Sequence, residues 1–113
     1  MTGLPLNARL VDRGGRFVEA TQTAPVYRMV DLGDGRPGLE RVVSGAAIEV
    51  EVWELPVEGF GAVVAEIPPP LGIGSVRLAS GRVVKGFLCE SVATRTATDI
   101  TAHGGWRRYL ASR

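Results

Sequence analysis

Glycine and proline constrain the fold of this chain more than any other feature of its sequence. Fifteen glycines and seven prolines occur among 113 residues. Both residue types favour turns and interrupt regular elements, so the helices and strands between them must be short. A chain of this length is most simply one domain with a single core. The sequence therefore predicts one turn-rich α+β domain over residues 1–113.

Charge and cysteine content exclude several classes of function. Thirteen basic and twelve acidic side chains are interspersed and give a net charge of +1, so nucleic-acid binding has no electrostatic support. No apolar run approaches the roughly 20 residues of a membrane span, and the start lacks the features of a signal peptide. Cys89 is the only cysteine, which excludes an intrachain disulfide and a cysteine-rich metal site. We expect a cytoplasmic protein with no membrane association, no metal and no cofactor.

Alternation and β-forming composition predict about six strands. They cover residues 17–23, 26–32, 39–43, 47–55, 73–78 and 82–89. Pro25 interrupts the first two, which could form two short strands or one bent strand. The clearest strand is residues 47–55, where Ile48, Val50 and Val52 share the face expected to meet the core. Glu49, Glu51 and Trp53 then share the other face, which we expect to be mostly wet.

Two or three short helices complete the expected elements. Residues 6–11 follow Pro5 and stop before two glycines, and residues 56–67 begin at Pro56 and end at a triple proline. Residues 106–111 suit a short terminal helix anchored by aromatic side chains. Residues 91–102 lack a sustained period and are interpreted as a loop with one helical turn around Asp99.

Five segments in fixed order resemble the C-terminal domain of allophanate hydrolase. They are GLPLN (residues 3–7), TAPVYR (23–28), IEVEVWELP (48–56), PLGIG (70–74) and GFLCE with DITAHGGWRRYL (within 86–110). Domains of this family are similar in fold to gamma-glutamylcyclotransferases. The resemblance therefore implies a small mixed β-barrel of about six strands, with two or three short outer helices and a pocket at one barrel end.

The GLPLN segment is the first part of the binding site that the resemblance implies. In the related fold, backbone N–H groups of the corresponding loop point at a carboxylate or carbonyl of the ligand, as unpaired N–H groups at a helix start favour negative charge. Gly3 and Leu4 would supply that backbone, and Asn7 could donate an amide hydrogen. The alternative is that these residues form only a turn and a helix cap.

Two further segments supply the remaining candidates for ligand binding. Tyr27 offers a phenol, and Arg28 offers a guanidinium suited to a bidentate carboxylate contact. Because they are adjacent, only one of them can face inward on a regular strand, and the alternative is a packed tyrosine with an exposed arginine. Gly72, Ile73 and Gly74 could let the backbone approach a ligand, or could simply form the turn after the second helix.

The resemblance implies the second half-reaction of allophanate breakdown, in which N-carboxycarbamate loses carbon dioxide on the way to ammonia. The histidine that this family usually carries ahead of GLPLN, at the end of a first strand, has no counterpart in the sequence. His103 matches no catalytic position, and Glu66 matches the glutamate of the cyclotransferases only loosely. The catalytic residues are therefore not assigned, and cyclotransferase activity is not expected.

The expected partners follow from the same resemblance. A small anionic dicarboxyl ligand would occupy the pocket, and a separately encoded amidase would supply the first half-reaction, which 113 residues are too few to include. A barrel lacking its first strand would expose two edges and favour a homodimer. Two other interpretations stay open, namely a noncatalytic small-carboxylate-binding or oligomerisation module and a chain whose true start lies upstream.

Overall fold

The computed structural model describes residues 10–113 and shows residues 10–12 as helical, so most of the helix predicted for residues 6–11 lies outside the described part. The described elements, in chain order, are β1 (Arg16–Gln22), β2 (Tyr27–Asp31), β3 (Pro37–Arg41), β4 (Glu49–Glu54), α1 (Val57–Glu66), β5 (Leu71–Arg77), β6 (Val83–Cys89), α2 (Ser91–Thr94), β7 (Thr98–Asp99), a 3₁₀-helix (Thr101–His103) and α3 (Trp106–Ala111).

The strands form three small antiparallel sheets. β1 pairs with β4, β2 lies between β3 and β7, and β5 pairs with β6. Single bridges join the sheets at their ends, from Thr23 to Leu78 and from Tyr27 to Ala46. The hairpin of β5 and β6 turns at Gly81, whose φ of 91° is a conformation that glycine adopts without strain.

The α+β class is confirmed, and the expected barrel is open rather than closed. Among residues 10–113 the hydrogen-bonded ladders do not join into one ring, and seven strands occur where about six were expected. Pro25 contributes to the opening. It follows the single bridge of Thr23 and has no N–H group with which to continue the ladder from β1 into β2.

The segment around Asp99 differs from the prediction. Asp99 lies in the two-residue strand β7 opposite Val30, and the helical turns of this segment lie on either side of it, in α2 and in the 3₁₀-helix. The N–H of Ile100 continues the contact by donating to the carbonyl of Met29. Pairing with a distant strand fixes this conformation, and no local sequence pattern encodes it.

One apolar core lies where the three sheets meet, and two polar groups within it are satisfied by backbone. Ile48 and Tyr27 are fully buried. The Tyr27 hydroxyl accepts a hydrogen bond from the N–H of Arg77 at 2.9 Å, and the Thr23 hydroxyl accepts one from the N–H of Ile48 at 3.0 Å. Buried polar groups are stable only with such partners, so these bonds fix how the sheets meet.

Helix α1 lies at the edge of the domain. It begins after Pro56 and ends before the triple proline, as the sequence predicts. Gly59 is its buried residue and packs against the backbone of Arg13, while Val57, Phe60 and Val64 remain exposed. The helix therefore presents an apolar face to solvent in the described chain.

Candidate functional site

A cavity of about 440 Å³ opens between the sheets and α3. Its apolar walls come from strands and a helix that are distant in sequence. Met29 and Leu39 face each other across β2 and β3, and Phe87 on β6 and Trp106 at the start of α3 complete this part of the wall. The volume falls within the range of roughly 300–1,000 Å³ that is usual for small-molecule sites. The cavity is therefore the candidate functional site.

A polar edge formed by Glu49, Glu51 and Trp53 of β4 lines one side of this cavity. Their alternate positions place them on one face of the strand. The indole Nε1 of Trp53 donates a hydrogen bond of 3.1 Å to Oε1 of Glu51, and Oε1 of Glu49 lies 2.7 Å from Nε of Arg108. These contacts orient both carboxylates at the cavity.

Arg107, an exposed residue of α3, also lines this cavity. Its placement depends on the chain just before α3, because the N–H of Glu49 donates to the carbonyl of Gly104 at 2.7 Å. A Cβ atom on Gly105 would come within 3.0 Å of the Cβ of Glu49, so a glycine allows the close approach of α3 to β4. The lining thus combines apolar walls with two glutamates and one arginine among its described residues.

The GLPLN candidates Gly3, Leu4 and Asn7 lie outside the described residues. Leu10, the first residue that the structure describes, is buried and lines the cavity. The chain that follows GLPLN therefore reaches this site, and ligand contacts by the three candidates stay predictions.

Tyr27 and Arg28 lie away from the cavity. Tyr27 is fully buried in the core. Arg28 is on the face of β2 opposite Met29, where Nη1 lies 3.1 Å from Oε1 of Glu40 and Nε lies 3.2 Å from Oδ2 of Asp99. The structure does not bring either side chain to the cavity wall, because strand alternation turns Arg28 outward and the core encloses Tyr27.

Gly72, Ile73 and Gly74 form part of β5 rather than a turn after α1. None of the three is among the described residues that line the cavity, although Ile73 pairs with the cavity residue Phe87. A Cβ on Gly74 would lie 2.6 Å from Cδ1 of Leu88, which indicates a packing role for this glycine. Ligand binding by these residues also stays a prediction.

His103, Glu66 and Cys89 occupy structural positions outside the cavity wall. The exposed His103 ring contacts the edge of Tyr109 with ring centroids 5.2 Å apart, and Glu66 lies 2.6 Å from Nη2 of Arg13. Cys89 is buried, and burial raises the pKa of its thiol. A buried thiol of raised pKa is a poor nucleophile.

Two kinds of site are not found in the described chain. Residues 10–113 contain no group of three or more histidine, cysteine, aspartate or glutamate side chains that could hold a metal ion. None of the helices in the same range has the length and apolar character that a membrane span requires.

Sequence reasoning missed the polar edge as part of a site. The alternation of β4 placed Glu49, Glu51 and Trp53 on one face but assigned that face to solvent. A tryptophan on a face otherwise made of glutamates was the available signal, because a large aromatic side chain is rarely left fully exposed. The cavity itself could not be predicted, since β4, β6 and α3 are distant from one another in the sequence.

The fold and the cavity define a small α+β domain with a ligand-sized site between its sheets. The family model of the allophanate hydrolase C-terminal domain matches residues 1–111. The chain therefore belongs to the allophanate hydrolase C-terminal domain family, as its five segments predicted.

Curated relatives include the urea amidolyases of Saccharomyces cerevisiae and Lachancea kluyveri. They are 39% and 38% identical to this chain over 118 aligned residues, and each alignment covers 97% of it. The chain spans only 6% of the length of either protein. It thus corresponds to one small part of those proteins.

Solved structures share the fold closely. A uropathogenic Escherichia coli-specific protein aligns with a TM-score of 0.92 and 38% identity, covering 100% of this chain and 90% of that one. Kluyveromyces lactis allophanate hydrolase aligns with a TM-score of 0.92 and 36% identity, covering 99% of this chain and 20% of that one. The same domain therefore occurs within a much longer chain and as nearly the whole of a short one.

Proposed function

We propose that this domain binds a small carboxylated urea derivative in the cavity and promotes the decarboxylation of N-carboxycarbamate towards ammonia and carbon dioxide. The observation that carries the proposal is a cavity of about 440 Å³, with apolar walls and an arginine in its lining, in a member of the allophanate hydrolase C-terminal domain family. Relatives named for urea and allophanate breakdown support the substrate class.

The proposed reaction requires the cavity to bind the substrate and to supply protons, and little else. The bond between nitrogen and one carboxyl carbon breaks, its electron pair stays on nitrogen, and nitrogen takes up a proton, which gives carbamate and carbon dioxide. Carbamate takes up a second proton and separates into ammonia and carbon dioxide. An apolar wall such as Met29, Leu39 and Phe87 disfavours a carboxylate relative to neutral carbon dioxide, because burial of a charge is costly.

Arg107 is the proposed cation for the ligand carboxylate. It lines the cavity, and a guanidinium donates two parallel hydrogen bonds to a carboxylate. The N–H groups expected from GLPLN would add to this contact, and Leu10, three residues after that segment, lines the same cavity.

Calorimetric titration with malonate, which has two carboxylates and the size of N-carboxycarbamate, tests the proposal. Saturable binding is expected and should be lost in Arg107→Ala. Arg95→Ala is the matched control, because Arg95 is exposed and lies outside the described cavity wall. Asn7→Ala tests the GLPLN contact separately. Absence of malonate binding at millimolar concentration would contradict the proposed function.

A separately encoded amidase is the proposed partner of this domain. It would deaminate allophanate and supply N-carboxycarbamate to the cavity. A turnover assay should therefore show faster release of carbon dioxide when this chain is added to an allophanate-deaminating amidase. A rate that equals the spontaneous breakdown of the amidase product would argue against a catalytic role.

A noncatalytic oligomerisation module is the second candidate, and the exposed face of α1 favours it. Val57, Phe60 and Val64 lie at helical spacing on one side of α1 and are 88%, 37% and 42% exposed. A second copy of this chain is the proposed occupant. Light scattering should show a dimer that dissociates in Val57→Glu but not in Val43→Glu, whose valine is fully exposed elsewhere. A wild-type monomer at high concentration would contradict this candidate.

A further inference from the structure

We infer that Arg108 raises the affinity of the cavity for carboxylate ligands by neutralising Glu49 of the cavity wall. The inference rests on the proposed function, because it concerns the ligand of the same cavity. Arg108 itself is not among the described residues that line the cavity. It therefore acts through Glu49, as a positioning residue that holds and neutralises this carboxylate.

The place of Glu49 at the cavity is the first support. Glu49 begins β4 and lines the cavity together with Gly105, the residue just before α3. A Cβ atom on Gly105 would lie 3.0 Å from the Cβ of Glu49 and 3.4 Å from its Oε1 atom. The carboxylate of Glu49 therefore lies beside the point at which α3 meets the cavity wall.

The ion pair between Arg108 and Glu49 is the second support. Nε of Arg108 lies 2.7 Å from Oε1 of Glu49. The residue opposite Glu49 across the ladder of β1 and β4 is the uncharged Gln22. Among residues 10–113, Arg108 is the only cation within ion-pair distance of this carboxylate. The charge of Glu49 is therefore balanced by one identifiable side chain.

The electrostatics of the cavity wall supply the third support. The ligand of the proposed function carries negative charge, and an unbalanced carboxylate in the wall would repel it. The guanidinium of Arg108, 2.7 Å from the Glu49 carboxylate, cancels most of that repulsion. The Arg108 and Glu49 side chains are 70% and 41% exposed, so water and salt screen their effect on a ligand. The effect on affinity should therefore be moderate and should depend on salt.

Calorimetric titration of the full chain with malonate at low ionic strength tests the inference. Arg108→Ala should weaken the binding of malonate by roughly threefold to tenfold, because the Glu49 carboxylate is then unbalanced. The loss should shrink when salt is raised from about 20 mM to about 500 mM, since exposed charges are then screened. Arg108→Lys keeps the positive charge and should retain most of the affinity.

The double variant with Arg108→Ala and Glu49→Gln is decisive. It removes both charges of the pair, so its affinity for malonate should return to within about twofold of the wild-type value. Glu49→Gln alone leaves the guanidinium without its carboxylate and should bind malonate at least as tightly as the wild type. If Arg108 only fastened α3 to β4, or if it contacted the ligand directly, the double variant would stay as weak as Arg108→Ala.

Arg16→Ala is the matched control. Arg16 makes an ion pair of 2.8 Å with Glu54, which lies on the same strand as Glu49, and both side chains of this second pair are exposed. Neither Arg16 nor Glu54 is among the described residues of the cavity wall. The substitution removes the same charge from the chain as Arg108→Ala does, so it measures the effect of net charge alone. Its affinity for malonate should equal the wild-type value.

The outcomes separate this inference from the proposed function. If the wild type does not bind malonate, the proposed function fails and the inference fails with it. The inference alone is overturned, and the cavity remains a carboxylate site, if Arg108→Ala binds as well as the wild type, if Arg16→Ala loses as much affinity, or if the double variant stays weak. Weaker binding in Arg108→Ala that the double variant restores, with no change in Arg16→Ala, supports both.

Discussion

The Tyr109 hydroxyl donates a hydrogen bond of 2.5 Å to Oδ2 of Asp31, and this bond joins α3 to the end of β2. The other carboxylate oxygen accepts the N–H of Gly33 at 2.8 Å. Trp106, one helical turn before Tyr109, packs in the core and forms part of the cavity wall. The contact between Tyr109 and Asp31 therefore supports a helix on which the candidate site depends.

Tyr109→Phe should lower the free energy of unfolding, because it removes a hydrogen bond to a charged acceptor. Urea denaturation of the wild type and the variant measures the loss. A cycle with Asp31→Asn isolates the pairwise contribution, and additive effects of the two substitutions would show that the bond contributes nothing.

The same pair predicts a pH dependence. The hydrogen bond from Tyr109 lowers the pKa of Asp31, and the bond from Gly33 lowers it further. The stability that the ionised Asp31 carboxylate contributes is therefore fully present above its unfolded pKa of about 3.9 and is lost as pH falls through the lowered folded pKa. The hydrogen bond to Asp31 raises the pKa of Tyr109. The stability that the protonated Tyr109 hydroxyl contributes is therefore fully present below its unfolded pKa of about 10 and is lost as pH rises through the raised folded pKa. The stability difference between wild type and Tyr109→Phe should be constant near neutral pH and shrink at both extremes. A difference that does not vary with pH would contradict this.

Arg28 should matter for stability rather than for ligand binding. Its guanidinium contacts Glu40 and Asp99, and the Glu40 carboxylate also accepts the hydroxyl of buried Thr94 at 2.8 Å. Arg28→Ala leaves Glu40 without its cation at a mostly buried position, which should cost about 1–3 kcal/mol. Urea denaturation measures the cost, and malonate titration below the unfolding transition should give the wild-type affinity. A weakened affinity in fully folded Arg28→Ala would show that the ligand contact expected from TAPVYR exists.

Local patterns predicted the elements whose conformation depends on nearby residues. The alternation of Ile48, Val50 and Val52 predicted β4, and the β-forming composition of residues 73–78 and 82–89 predicted β5 and β6. Contacts between residues that are distant in the sequence determine the site, and local patterns could not predict them. The ladder between β2 and β7 brings Asp99 beside Arg28 across 71 residues of chain, and the resulting ion pair holds Arg28 away from the cavity wall.

The cavity could not be predicted from local sequence patterns either. Glu51 and Ala20 become neighbours because β1 and β4 pair, and the bond between Glu49 and Gly104 joins β4 to the chain that leads into α3 and Arg107. A single sequence contains the side chains of the site but not these pairings. The ligand-binding candidates taken from the family motifs therefore lie outside the described cavity wall or outside the described chain. The polar edge of β4 was recognised as part of the site only from the folded structure.

Two glycines of α1 should respond to alanine in opposite directions. A Cβ on Gly59 would collide with the backbone carbonyl of Arg13, whereas a Cβ on Gly61 would meet no atom of residues 10–113 within 4 Å. Gly61→Ala should raise the free energy of unfolding by about 0.5–1 kcal/mol, because alanine loses less backbone entropy in a helix. Gly59→Ala should lower it by about 1–3 kcal/mol, because α1 must move away from the chain at Arg13.

Thermal or urea denaturation of both variants checks this pair, and each serves as the control for the other, since both make the same substitution two residues apart. The helix propensity gained is equal in the two cases, so their difference measures the packing of α1 against Arg13 alone. The ion pair between Arg13 and Glu66 at the far end of α1 should also weaken in Gly59→Ala, so a further Glu66→Gln substitution should cost less there than in the wild type. Equal stability of the two alanine variants would show that α1 does not rest on this contact.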